Sequence, residues 1–209
     1  NVKQLRQTIL QLTMQGNLTL NWREANPNIT AKNLLDEIAN IKQSLIKQGK
    51  LKKEKNLSRA NGNDKQFEIP ESWAWCRLSD IAEIIMGQSP ESHTYNKIGQ
   101  GLPFYQGKKD FGSVYPAGVS VWCTEPTRIA NENDILISVR APVGDVNIAK
   151  ETCAIGRGLS IIRLYEINSL FFVFSFLDYF KRIWTTKGSF FDSINKDHVN
   201  NLVLPQPPL

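Results

Sequence analysis

Two arginines are the side chains best placed to meet a chemical partner. Arg140 closes the β-branched run 135–139 and stands just before Pro142 and Gly144, and Arg157 sits between Gly156 and Gly158, ahead of the apolar run 159–162. Short continuous apolar runs suit strands buried on both faces. Strands that end in glycine-rich, arginine-bearing loops let a rigid scaffold offer a cation. Two ordinary hairpin turns with solvated arginines account for the same pattern.

Most other chemistries lack their residues. No Asp or Glu stands two positions before any Lys, so the carboxylate-x-lysine half of a common nuclease site is missing. There is no Gly-x-Ser-x-Gly, Walker loop or Gly-x-Gly-x-x-Gly after a strand. Gly156-Arg-Gly158 is the nearest approach to a phosphate cradle. Asn26-Pro-Asn28 lacks the second proline and the ring of an amino-methyltransferase signature. His198 beside Asp197 reads as a surface residue rather than a base. Cys76, Cys123 and Cys153 are widely spaced, and with His93 and His198 they form no metal-ligand pattern. The expectation is a recognition module rather than an enzyme, with no metal and no cofactor.

Length and composition agree with that. A chain of 209 residues with 41% hydrophobic residues can hold one ordinary domain and an appendage. A net charge of +5 and a pI of about 9.1 permit a nucleic-acid partner without demanding one. No apolar run approaches the roughly 20 residues of a membrane span. The polar start reads as lacking a signal peptide, and the missing initiator Met fits processing or a start inside a longer chain. The cysteines are expected as reduced, buried thiols of a cytoplasmic protein.

In chain order, Leu5, Ile9 and Leu12 predict an amphipathic helix over 2–15, with Gly16 just beyond it. After a polar connector containing Pro27, Thr30 is set to cap a second helix. Its Leu34, Ile38, Ile41 and Leu45 form an a/d seam that ends near Gly49. The two helices should pair antiparallel as an arm, with stripes wide enough for a further helix; a two-helix cap on the main domain fits equally. Residues 51–66 read as a basic linker, and seven cations from Lys42 to Arg59 face one acid, Glu54. A solvated helix end accounts for these cations, and phosphate contact is the alternative. From residue 67 aromatics, glycines and short apolar runs predict a strand-rich globule. Strands are expected over 102–106, 119–123, 135–139 and 159–162, a buried helix over 170–184 and a final strand from 202. The fold class is α+β: a helical arm over 1–50, the linker, and a mixed α/β domain over 67–209.

These motifs, taken together, have a known counterpart. Residues 67–81 (FEIPESWAWCRLSDI), Gly87-Gln-Ser-Pro90, Tyr95-Asn96 and Gly101-Leu-Pro-Phe-Tyr-Gln-Gly107 with Asp110-Phe111 resemble a target-recognition domain of type I restriction-modification specificity (S) subunits. So do residues 133–145 (NDILISVRAPVGD) with Ile155-Gly-Arg-Gly-Leu159, and the exit segment 202–209. Leu5-Arg-Gln-Thr-Ile-Leu-Gln-Leu12, Gly16-Asn-Leu18 and Leu34-Leu-Asp-Glu-Ile38 resemble the family's conserved helical spacer. The resemblance implies a non-catalytic subunit that reads one half of a split double-stranded DNA target and assembles with methyltransferase and restriction subunits. Complete members carry two of each region, whereas one of each stands here. The chain is therefore expected as half of a longer subunit, or as a half-length one that pairs with a second copy through the helices. A recognition domain fused to a restriction-methylation enzyme and a protein-interaction module without DNA contact are the alternatives.

On that reading the candidate DNA-contacting residues are Gln88, Tyr95, Asn96, Gln106, Lys108, Lys109, Arg140, Arg157, Lys187, Ser189 and Lys196. Asn and Gln address adenine edges in pairs of bonds, so Gln88, Asn96 and Gln106 are expected at bases. Lys108, Lys109 and Lys187 suit phosphates. Arg140 and Arg157 belong to the motif shared across the family, so they are expected to hold structure or backbone rather than to specify sequence.

Overall fold

The computed structural model describes residues 2–53, 67–186 and 193–208. Most of the basic linker, with Lys55 and Arg59, lies outside the described residues, as do Lys187 and Ser189. The chain divides into two compact units, one of residues 1–81 with 200–209 and one of residues 82–199.

The first unit opens with α1 (Val2–Met14), a 3-10 turn (Asn17–Thr19), α2 (Leu20–Ala25) and α3 (Ala31–Lys47). Gly16 ends α1 at φ 71°, and Gly49 follows α3 at φ 70°, as their predicted terminal roles require. Thr30 caps α3 by accepting the Asn33 N–H at 3.5 Å. The polar connector is more ordered than expected. Within it Arg23 donates to the Thr19 hydroxyl at 2.6 Å and to the Gly16 carbonyl, which folds α2 back onto the end of α1. Strand β1 (Ala74–Arg77), α4 (Leu78–Ile81) and β11 (Val203–Gln206) complete the unit, with β1 and β11 paired antiparallel.

The turn 70–73 anchors the helices. Ala31 N–H donates to the Ser72 carbonyl at 2.8 Å, and Gly16 lies so close to Pro70 and Trp73 that a Cβ there would sit 2.6 Å from Pro70 Cγ. Helix α3 packs on α4, where Lys42 donates to the Ser79 carbonyl at 2.7 Å, rather than along α1. Among the described residues the α1 stripe is largely uncovered, with Leu5 62% and Ile9 46% exposed, whereas on α3 Ile38 is buried and Ile41 is the exposed member of the seam.

The second unit comprises β2 (Ala82–Met86), β3 (Tyr95–Asn96), β4 (Leu102–Tyr105), β5 (Trp122–Cys123), β6 (Ile129–Ala130), β7 (Ile135–Ser138), β8 (Val146–Ile148), β9 (Cys153–Ile155), β10 (Leu159–Leu164), α5 (Leu170–Thr186) and α6 (Lys196–Asn200). An antiparallel sheet runs β2-β10-β7-β8, and a mixed one β3-β5-β4-β9-β6, with β4 and β9 parallel. The strand expected over 119–123 is only Trp122–Cys123, and residues 88–101 contain a 3-10 turn (Ser92–Thr94) and β3.

The two apolar runs singled out above lie side by side, with Leu159 opposite Ser138 and Ile162 opposite Ile135. Alternation explains why both runs lack a polar face. Leu136, Leu159 and Ile161 join Tyr105, Cys153 and Ile155 in one core cluster, while Ile135, Ile137 and Ile162, pointing the other way, are equally buried. Helix α5 packs on β8 of the same sheet.

All three cysteines are free and buried. Burial pushes the Cys153 thiol up from 9.0 to about 12 and the Tyr105 phenol up from 10.0 to about 12. The folded state therefore keeps these protons at pH values where the unfolded chain loses them. Their contribution is whole below pH 9 and falls as pH rises from about 9 to 12. Urea unfolding at pH 8 and pH 10.5 should give a lower midpoint at the higher pH. No helix among the described residues is long and apolar enough to cross a membrane.

Candidate nucleic-acid interface

Backbone hydrogen bonds bring three loops of the second unit together. Gly87 N–H donates to Leu159 O at 2.9 Å and Gly156 N–H to Tyr105 O at 2.8 Å. The Ser89 hydroxyl accepts the Arg157 N–H at 3.3 Å. Two glycines permit this approach. A Cβ on Gly87 would lie 2.2 Å from Gly156 O, and one on Gly158 would lie 2.3 Å from Gln106 O. A fourth segment joins through Val139, whose N–H donates to Gly158 O and whose carbonyl accepts Ile194 N–H, both at 2.9 Å. Arg140 bridges Ser193 beside it, which brings in the start of α6.

The structure thus gathers Gln88, Gln106, Lys108, Lys109, Arg140, Arg157 and Lys196, from five separate stretches of chain, onto adjoining segments. Gln88, Lys109, Arg140 and Arg157 are exposed, and Gln106 and Lys196 are half-buried. Tyr95 is close by. Its hydroxyl donates to Pro90 O at 2.7 Å, its ring lies 4.8 Å from that of Phe104, and burial raises its phenol pKa while neighbouring Arg157 opposes the rise.

Two candidates have structural work inside the protein. Asn96 Oδ1 accepts from Ile98 N–H at 3.2 Å and Gln100 N–H at 3.0 Å, and Asn96 Nδ2 donates to Gln100 O at 2.8 Å. That uses the amide groups adenine readout would require. Lys108 forms an ion pair with Asp145 at 2.9 Å, and Lys181 of α5 pairs with the other oxygen of the same carboxylate.

Sequence reasoning missed the residues that shape these loops. Asp110 accepts from Gln106 N–H at 2.6 Å and Gly107 N–H at 3.3 Å, closing the turn that carries both lysines. Buried Asn147 accepts from Gly112 N–H at 3.0 Å and donates to Gly112 O at 3.1 Å, fastening that loop to β8. Asp134 and Arg163 form a further pair at the base of the sheet. The spacing of Asp110 from Gly107, a turn-closing carboxylate three residues on, was a usable local signal. The others join positions far apart in the chain, and nothing local marks them.

Comparison with known proteins accords with these features. Residues 70–209 match the type I restriction modification DNA specificity domain. A Methanocaldococcus jannaschii protein assigned as the MjaX type I restriction enzyme specificity subunit is 47% identical over 147 residues, covering 68% of this chain and 34% of that protein. The EcoAI specificity subunit of Escherichia coli is 34% identical over 147 residues, covering 68% of this chain and 24% of its own. Among solved structures, the specificity (HsdS) subunit of Thermoanaerobacter tengcongensis superposes with a TM-score of 0.62 at 31% identity, covering 96% of this chain and 45% of that one. A chain from a study of type I R-M complex assembly and conformational transition gives 0.64 at 35% identity, covering 98% and 48%. The chain thus spans about a third or less of the curated relatives it matches and under half of the solved ones. With its second unit and closing strand inside the matched region, the chain belongs to the type I restriction-modification DNA specificity domain family.

Proposed function

We propose that this chain reads one half of a bipartite double-stranded DNA target for a cytoplasmic type I restriction-modification complex, and that it carries no catalytic group of its own. The observation that carries the reading is the meeting of the 87–89, 105–110 and 156–158 loops, which sets Gln88, Gln106, Lys109 and Arg157 on one rigid frame. Amide side chains beside cations supply base-edge readout together with phosphate anchoring. In this reading residues 1–50 are the spacer arm, 51–66 the basic connector and 67–209 the recognition domain. The exposed Leu5, Ile9 and Ile41 leave a seam for helices of a second specificity half or a second copy. Methyltransferase and restriction subunits are the further partners.

The test is random-pool selection with the full-length subunit in its methyltransferase complex. A short enriched half-site is expected. Lys109→Gln should flatten the salt dependence of binding by about 0.9 in log–log slope, as loss of one phosphate contact does. Absence of duplex binding at low salt would sink the reading and favour a protein-interaction module.

A further inference from the structure

Lys108 and Lys109 are adjacent on one exposed turn, yet the protein treats them differently. Lys108 reaches Asp145 at 2.9 Å, and Lys181 meets the same carboxylate from α5. Lys109 is exposed, and among the described residues no acid pairs with it. Asp145 is itself held in place. Its N–H donates to the Ser138 hydroxyl at 2.9 Å, that hydroxyl donates to Pro142 O at 2.9 Å, and Gly144 turns the chain ahead of it at φ 88°. The lysine turn is closed by Asp110, and Asn147 on Gly112 fastens its loop to β8 just beyond Asp145. One carboxylate thus faces two ammonium groups, one on the lysine turn and one on α5.

We infer that Asp145 is an internal counter-anion, occupying the place a phosphate would take between Lys108 and Lys181 and so withholding two cations from indiscriminate DNA binding. This rests on the DNA-reading proposal and deepens it. Non-specific affinity comes almost entirely from cations meeting phosphates. A fixed anion in the lysine cluster lowers it while leaving base-edge contacts intact, which widens the ratio of specific to non-specific binding. Asp145 is then a specificity-determining residue that touches no base.

The experiment measures duplex affinity against salt concentration, for target and random sequence, with the full-length subunit in its methyltransferase complex. Asp145→Asn should tighten random-duplex binding about tenfold at low salt and steepen the slope by about 0.9 per lysine released. Target binding should gain less, so the specificity ratio falls. Lys108→Gln in the otherwise native protein provides a second reading that does not depend on how the Asp145 variant folds. It should leave the slope near the native value, whereas Lys109→Gln flattens it. A Lys108→Gln slope that falls as far as that of Lys109→Gln overturns the inference, as does a folded Asp145→Asn protein with native affinity and slope. Failure of the native complex to bind any duplex would instead overturn the recognition reading beneath it.

Discussion

Replacing Arg163 by alanine is expected to remove about 2–3 kcal/mol of stability, because it strands the buried Asp134 carboxylate, with the loss moderated by the partial exposure of Arg163 itself. Asp134 is 4% exposed and its carboxylate is committed from several sides. Arg163 Nε donates to both oxygens at 3.1 Å, Nη2 donates to Oδ2 at 2.6 Å, and Asn131 N–H donates to Oδ2 at 2.7 Å. Arg163 Nη2 also reaches Ile129 O at 3.2 Å, so the guanidinium joins the end of the antiparallel sheet to a strand of the mixed one. Its pKa is raised chiefly by the hydrogen bonds to Asp134, against the effect of burial. Alanine would leave a nearly buried carboxylate with one backbone donor. The check is urea unfolding followed by circular dichroism. A lowered midpoint with unchanged slope is the expected result, and a loss below about 1 kcal/mol would mean water reaches the carboxylate. The paired replacement Asp134→Leu with Arg163→Met should cost much less than Arg163→Ala, because no charge is then stranded.

Gly87→Ala is the second change with a large expected effect, about 2–3 kcal/mol from overpacking. The added Cβ would stand 2.2 Å from Gly156 O and 2.6 Å from Leu159 O. Both obstacles are backbone atoms of a loop already bonded to Tyr105 and to Gly87 itself, so no side chain can swing away. Relief requires the 87–89 loop to part from the 156–158 loop, which breaks the Gly87–Leu159 bond and separates Gln88 from Arg157. Stability and half-site affinity should therefore fall together. Alanine at exposed Gly118, where a Cβ meets nothing within 4 Å, is the control and should leave both near native values. Native affinity in a Gly87→Ala protein of reduced stability would show that the loop junction is not part of the reading surface.

Local pattern was enough for many elements. The terminal roles of Gly16 and Gly49, the Thr30 cap and the fully buried character of 135–138 and 159–162 follow from glycine chemistry, capping and apolar periodicity, which act within a few residues. The very short strand Ile129–Ala130 was not legible, because two residues carry no periodicity, and the apolar run 119–123 marked β5 but overstated its length. The expected antiparallel contact of α1 with α3 is not among the main packing contacts of the described residues. Their apolar stripes indicate that something packs there, and only the tertiary structure shows that α3 rests on α4 and that α1 ends against Pro70 and Trp73.

The candidate site divides along the same line. Residue type picked out the amide and cationic loop residues, and motif resemblance assigned them to one family of DNA readers, since both are properties of short stretches. Which of them are available was decided by partners distant in sequence. Asn96 holds its own loop through Gln100, and Lys108 meets Asp145 across 37 positions while Lys109 beside it stays exposed. Arg163 finds Asp134 because the β10–β7 register sets Ile162 opposite Ile135, so the next position on β10 falls beside the residue before β7. Register, loop convergence and ion pairing are long-range facts, and no spacing within the chain encodes them. Arg140 and Arg157 accordingly end as members of a loop junction built on Gly87, Gly156 and Gly158. Their place beside glycine and proline was readable from the start, and the neighbours that give it meaning were set only by the fold.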